Sequence, residues 1–69
     1  MNSQITNRIK TLRKQTRLTQ QEMGGLINMS QNAYSRLEAG KTKIDLDRLN
    51  KIANVFNLSA AELLSSIKK

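Results

Sequence analysis

TQQEMGGLINMSQNAYSRLEAG, residues 19–40, is the stretch that decides the fold of this chain. It reads as two short helices joined by a tight turn, the second carrying a polar face. Thr19-Gln20-Gln21-Glu22 has the form of a capping box. A hydroxyl at the N-cap and a carboxylate three residues on each satisfy a backbone N–H that the helix start leaves unpaired. Met23, Leu26 and Ile27 follow at helical spacing and make one face apolar. Gly24 and Gly25 are poor helix formers, each costing roughly 1 kcal/mol against Ala in a helix interior. Gly24 suits a place where two backbones approach closely, whereas a merely weak helix is an equal reading for Gly25. Asn28 tolerates the left-handed conformation that ends a helix, so it can make the turn.

Ser30 is a good N-cap for the second helix. With 3.6 residues per turn, Ala33, Leu37 and Tyr34 fall at about 200°, 240° and 300° from Gln31 and form the stripe expected to be buried. Gln31, Ser35, Asn32 and Arg36 fall at about 0°, 40°, 100° and 140°, on the opposite side. Two amides, a hydroxyl and a guanidinium thus share one face. Amides pair bidentately with adenine, Arg with guanine and Ser with either, at base edges in the major groove. An ordinary solvated face is the alternative. The position of this helix after a short capped helix and a tight turn favours base reading.

The chain resembles the phage-repressor and Cro type (XRE-type) helix-turn-helix regulators. The resemblance is carried by Leu18-Thr19-Gln20-Gln21-Glu22-Met23, by Ser30-Gln31, and by Tyr34-Ser35-Arg36-Leu37-Glu38-Ala39-Gly40-Lys41. Leu49, Ile52, Ala53, Phe56 and Leu63-Leu64 continue it, so that it covers roughly residues 9–64. Gly24 stands where the family usually has Ala, which weakens the first helix of the pair slightly. Asn28 stands where the family usually has Gly and can make the same turn. The resemblance implies a compact five-helix, all-α, lambda-repressor-like domain. It also implies a pair between Arg13 and Glu38 that holds Arg13 toward DNA phosphates; an exposed pair of that type contributes about 0–1 kcal/mol. By the same resemblance the loop Lys41-Thr42-Lys43 lies on the DNA backbone, against the alternative of a plain exposed loop. Tyr34 reads as core first and as a phosphate contact second.

Composition agrees. A chain of 69 residues has room for one domain, taken as 1–69, and its single core is marginal without help. It has no Cys and no His. That removes disulfides, thiolate metal sites and the commonest metal ligand and general base. With five scattered acids there is no nucleophile–base pair or metal cluster, so the chain is expected not to be an enzyme, with no metal, cofactor or small-molecule substrate. There is no apolar run long enough to span a membrane and no signal-peptide core in MNSQITNRIK, which makes the cytoplasm the default location. A membrane-surface peptide would need a basic helix with bulky apolar residues opposite; the first helix fits loosely, but the core needs its apolar face.

The net charge of +7, from 12 basic and 5 acidic residues, suggests an anionic partner. Residues 1–18 hold Arg8, Lys10, Arg13, Lys14 and Arg17 and no acid, while residues 19–40 hold Arg36 against Glu22 and Glu38. The reading unit is nearly neutral and its flanks are basic. Phosphate contacts position and base contacts specify, so the pattern separates the two tasks; solubility accounts for part of the charge. Thr19, Gln20, Arg13, Lys41, Thr42 and Lys43 are the expected phosphate contacts, Gln20 at a helix start that suits an anion.

The remaining segments build a scaffold. A helix from Asn2 or Ser3 to about Gln15 faces inward with Ile5, Ile9 and Leu12. Lys10, Lys14 and, just past the helix end, Arg17 group on another side, which the resemblance places by the phosphate path. Gly40 ends the recognition helix. Asp45 caps a fourth helix with Leu46, Leu49, Ile52, Ala53 and Phe56 inward, and Ser59-Ala60-Ala61-Glu62 is a second capping box opening a fifth. Leu63, Leu64 and Ile67 give that fifth helix more apolar surface than one terminal helix needs, which suggests a homodimer interface. The expected function is sequence-specific binding of double-stranded DNA by a homodimeric transcriptional regulator, most simply a repressor. The alternative is an antitoxin or adaptor whose main partner is another protein, with DNA binding secondary.

Overall fold

In the computed structural model, which describes residues 2–65, the chain forms five helices and, among the described residues, no strand. They are α1 (Asn2–Gln15), α2 (Gln20–Leu26), α3 (Gln31–Glu38), α4 (Leu46–Val55) and α5 (Ala60–Ser65). The starts of α2 to α5 are capped by the residues expected from the sequence. Thr19 Oγ1 accepts from the Glu22 N–H at 3.0 Å while Glu22 Oε1 accepts from the Thr19 N–H at 2.9 Å. Ser59 and Glu62 repeat that reciprocal pair at 3.0 and 2.8 Å. Ser30 Oγ accepts from the Ala33 N–H, and Asp45 Oδ1 from the Arg48 N–H.

The first four helices also end alike. At each end, a residue with positive φ donates its N–H to the carbonyl three residues back, and the next residue donates to the carbonyl five back. The positive-φ residues are Arg17, Asn28, Gly40 and Asn57, at φ 63°, 66°, 79° and 59°. The five-back bonds run from Leu18 to Arg13, Met29 to Gly24, Lys41 to Arg36 and Leu58 to Ala53, at 2.7–3.1 Å. This is the Schellman termination, which satisfies carbonyls that a helix end leaves bare. Asn28 therefore makes the turn as its residue type suggests.

The core is Ile5 and Ile9 of α1, Met23 of α2 with Ile27 just past its end, Tyr34 and Leu37 of α3, Leu49, Ile52 and Ala53 of α4, and Leu63 of α5. Leu12, Leu18, Met29 and Phe56 are among the side chains packed against it. α2 and α1 both pack on α3, and α4 packs on α5. Arg48 of α4 reaches back to the Ile27 carbonyl at 3.3 Å, tying α4 to the end of α2.

Two inward assignments are corrected. Leu26 and Leu46 are 60% and 67% exposed. Leu26 is the last residue of a seven-residue helix and Leu46 the first of its own, so both lie where the neighbouring elements no longer cover them. Gly24 is more than a weak point in α2. A Cβ there would stand 2.9 Å from the Met29 carbonyl oxygen and 3.3 Å from that of Ser30, so the backbone of the α2–α3 turn needs the space. At Gly25 nothing lies within 4 Å, which matches its reading as a merely weak helix position.

Candidate nucleic-acid interface

The position of α3 is held by one carboxylate. Glu38, at the end of α3, has a side chain 1% exposed. Its Oε2 accepts from Arg13 Nε at 2.6 Å and from the Tyr34 hydroxyl at 2.7 Å. Its Oε1 accepts from Arg13 Nη2 at 3.1 Å and from Gln20 Nε2 at 3.0 Å. Arg13 Nη1 donates to the Leu18 carbonyl at 2.7 Å. One buried anion thus joins α1, the start of α2 and both turns of α3. Such a carboxylate would be costly to bury alone, and four donors offset that cost.

The ionisation of the three groups follows from this geometry. Burial pushes the Glu38 carboxyl up, but hydrogen bonds from Arg13, Tyr34 and Gln20 outweigh it and hold the group below its ordinary 4.5. The bond to Glu38 raises Arg13 despite its own burial. Burial, then the bond to Glu38, raises the Tyr34 hydroxyl far above its ordinary 10.0. Arg13 and Glu38 are therefore charged and Tyr34 neutral at neutral pH.

Arg13 is thereby corrected as an expected phosphate contact. The pair with Glu38 exists, but its guanidinium side chain is 10% exposed and is spent on Glu38 and Leu18. It holds the scaffold instead of facing solvent. Gln20 is half-buried with its amide on Glu38, so its side chain ties the start of α2 to α3. Thr19 is exposed, its hydroxyl engaged in the cap. The capping box occupies the N–H groups of Thr19 and Glu22, which leaves those of Gln20 and Gln21 as the open donors there. Tyr34 is wholly buried, as core.

On α3, Gln31, Asn32 and Arg36 are exposed and Ser35 is half-buried. None of these four side chains bonds another described residue, so their donors and acceptors are open on the side away from Tyr34 and Leu37. Lys41 and Lys43 are exposed and Thr42 half-buried, directly after the turn in which the Lys41 N–H closes α3 on the Arg36 carbonyl at 2.9 Å. Gln31 and Asn32 thus open α3, Arg36 stands in its last turn, and the basic loop follows its C-terminal end. Among the described residues there is no cluster that could hold a metal ion, and no helix long and apolar enough to cross a membrane.

Of the three expected dimer residues, Leu63 is wholly buried and closes the monomer core, which corrects its assignment to an interface. Its burial follows from the packing of α5 on α4, which the left-handed turn at Asn57 allows. Leu64 is 43% exposed. Ile67 lies outside the described residues.

The sequence readings missed the Gln20 and Tyr34 bonds to Glu38 and the left-handed Arg17. Tyr34 and Glu38 stand four apart on one helix, a spacing that brings side chains together, and that was the available signal. Gln20 gave none.

Residues 9–63 match the Helix-turn-helix family model. The control protein C.MunI of Mycoplasma sp is 36% identical over 64 residues, a match covering 91% of this chain and 86% of that protein. The antitoxin PezA of Streptococcus pneumoniae is 33% identical over 64 residues, covering 93% of this chain but only 40% of PezA. The crystal structure of an HTH_3 family transcriptional regulator from Vibrio cholerae superposes with a TM-score of 0.80 at 28% identity, covering 94% of this chain and 36% of that one. The clp gene regulator ClgR from Corynebacterium glutamicum gives 0.86 at 18% identity, over 96% of this chain and 70% of its own, and speaks for the fold alone.

Proposed function

The chain belongs to the helix-turn-helix family of DNA-binding regulators, which are not enzymes, and on that premise we propose that it is a homodimeric repressor reading an inverted-repeat operator through the major groove. The observation that carries this reading is the open face of α3, where Gln31, Asn32 and Arg36 present unpaired polar groups on a helix locked by Glu38. Ser35 completes the set of base readers. Arg36 suits guanine and the amides suit adenine. Lys41, Thr42 and Lys43 hold phosphates after the end of α3, and the start of α2, with Thr19 and Gln20, holds another through its open N–H groups. Residues 1–69 act as one domain, in the cytoplasm, without metal, cofactor or small-molecule substrate.

The half-exposed Leu64, with Ile67 beyond the described residues, is the proposed seat of the two-fold contact. Two recognition helices then sit about 34 Å apart, one turn of B-DNA. Selection from random duplex DNA, with the bound stoichiometry measured, tests the proposal: two chains on an inverted repeat support it, and no enriched sequence refutes it. A second reading, an antitoxin or adaptor with a protein partner, is favoured by the likeness to PezA. Co-purification of a stoichiometric second protein from the native host would decide for it.

A further inference from the structure

Four helices end on the same left-handed turn, and three of them place Asn28, Gly40 or Asn57 at its positive-φ position. Those are the residue types for which that conformation is cheap: Gly has no Cβ, and the short amide of Asn bonds locally. The turn after α1 has Arg17 there instead, at φ 63°. Its N–H donates to the Lys14 carbonyl and the Leu18 N–H to the Arg13 carbonyl, both at 3.1 Å, so the backbone geometry is the one the other three turns adopt. Nothing in the turn requires a cation. The Arg17 side chain is exposed and bonds no other described residue, whereas Arg13 is spent on Glu38 and Arg48 reaches the Ile27 carbonyl. Residues held in an uncommon backbone region cluster at functional sites.

The position gives the cation a use. Arg17 lies between Lys14 and the Thr19–Gln20 start of α2, in a stretch of 18 residues that contains no acid. We infer that Arg17 is a DNA-phosphate contact at the α1–α2 junction, one that positions the protein without reading sequence. The inference rests on the DNA-binding reading above and supplies, near the same junction, the contact that the burial of Arg13 removes.

Arg17→Asn is the sharpest test, because the chain itself uses Asn at two of these turns; Arg17→Gly is the second. Both should keep the helical circular dichroism and melt at the wild-type temperature or above. Affinity for the selected duplex and for a random duplex is then measured from about 50 to 200 mM salt. Both duplexes should be bound more weakly by a similar factor, and the log–log salt slope should fall by about 0.9, so that the affinity lost across that range shrinks about 3.5-fold. Arg17→Lys should restore the slope. Wild-type affinity and slope in Arg17→Asn overturn the inference, as does a loss confined to the selected sequence. A wild type that binds neither duplex overturns the DNA-binding reading itself, which keeps the two failures apart.

Discussion

Replacing Glu38 by Ala should be far more damaging than the loss of a surface charge. The change removes the acceptor of four hydrogen bonds and leaves the Arg13 guanidinium, the Tyr34 hydroxyl and the Gln20 amide without their partner. Removing one member of a buried ion pair costs about 3–5 kcal/mol, against about 0–1 kcal/mol for an exposed one. Native chains hold roughly 0.05–0.15 kcal/mol per residue, so one of 69 residues holds roughly 3–10 kcal/mol in all. Glu38→Ala should therefore take roughly a third or more of the stability and lower the melting point by more than about 12 °C. Urea unfolding followed by circular dichroism reads this directly. A triple variant, Arg13→Met, Tyr34→Phe and Glu38→Leu, removes the buried ion pair and hydroxyl together, leaves only the half-buried Gln20 amide unpaired, and should recover much of the loss, because the cost lies in unpaired buried groups. A loss under about 1 kcal/mol in Glu38→Ala would refute the buried hub and return the pair to the exposed class.

The same carboxylate sets an acid limit. The folded Glu38 titrates below its ordinary 4.5, so its stabilisation is full above that value and is lost as pH falls through the lower folded value; Glu38→Gln should flatten the acid limb of the stability curve. Gly25→Ala should stabilise by about 0.5–1 kcal/mol, since helix propensity rises and the added Cβ meets nothing, whereas Gly24→Ala should destabilise through the contact with the Met29 carbonyl; paired thermal melts check both signs. Lys43→Ala should weaken specific and random duplexes alike and lower the salt slope by about one unit, as a phosphate contact does. Leu64→Asp should leave the circular dichroism unchanged while sedimentation at micromolar concentration shows a monomer; a wild type that is monomeric both free and on its selected site sinks the dimer.

Helix starts were legible in the sequence because a cap is a local device: Thr19 with Glu22, Ser30, Asp45 and Ser59 with Glu62 each act within four residues. The buried stripe of α3 was legible for the same reason, since Tyr34 and Leu37 recur at the helical period. Leu26 and Leu46 were not, because periodicity assigns a face but not the point where the neighbouring helix stops covering it. The depth of Arg13 and Glu38 was hidden in the same way. A pair of residues names the contact, but its burial depends on how three helices meet. Arg17 gave no cue because Arg has no preference for the conformation it adopts. The polar set on α3 was readable as a face; what it touches is a property of the complex.

The most direct test of base reading by α3 is the affinity and base preference of Arg36→Ala and Gln31→Ala on the duplex selected by the wild type, with circular dichroism as the folding control. Each variant should keep its helices, lose roughly 5- to 150-fold in affinity and relax its preference at one base pair of each half-site, the size of about 1–3 kcal/mol for a bidentate contact. If both variants bind the same preferred duplex with wild-type affinity, the open face of α3 is only a solvated surface and the recognition-helix assignment is wrong.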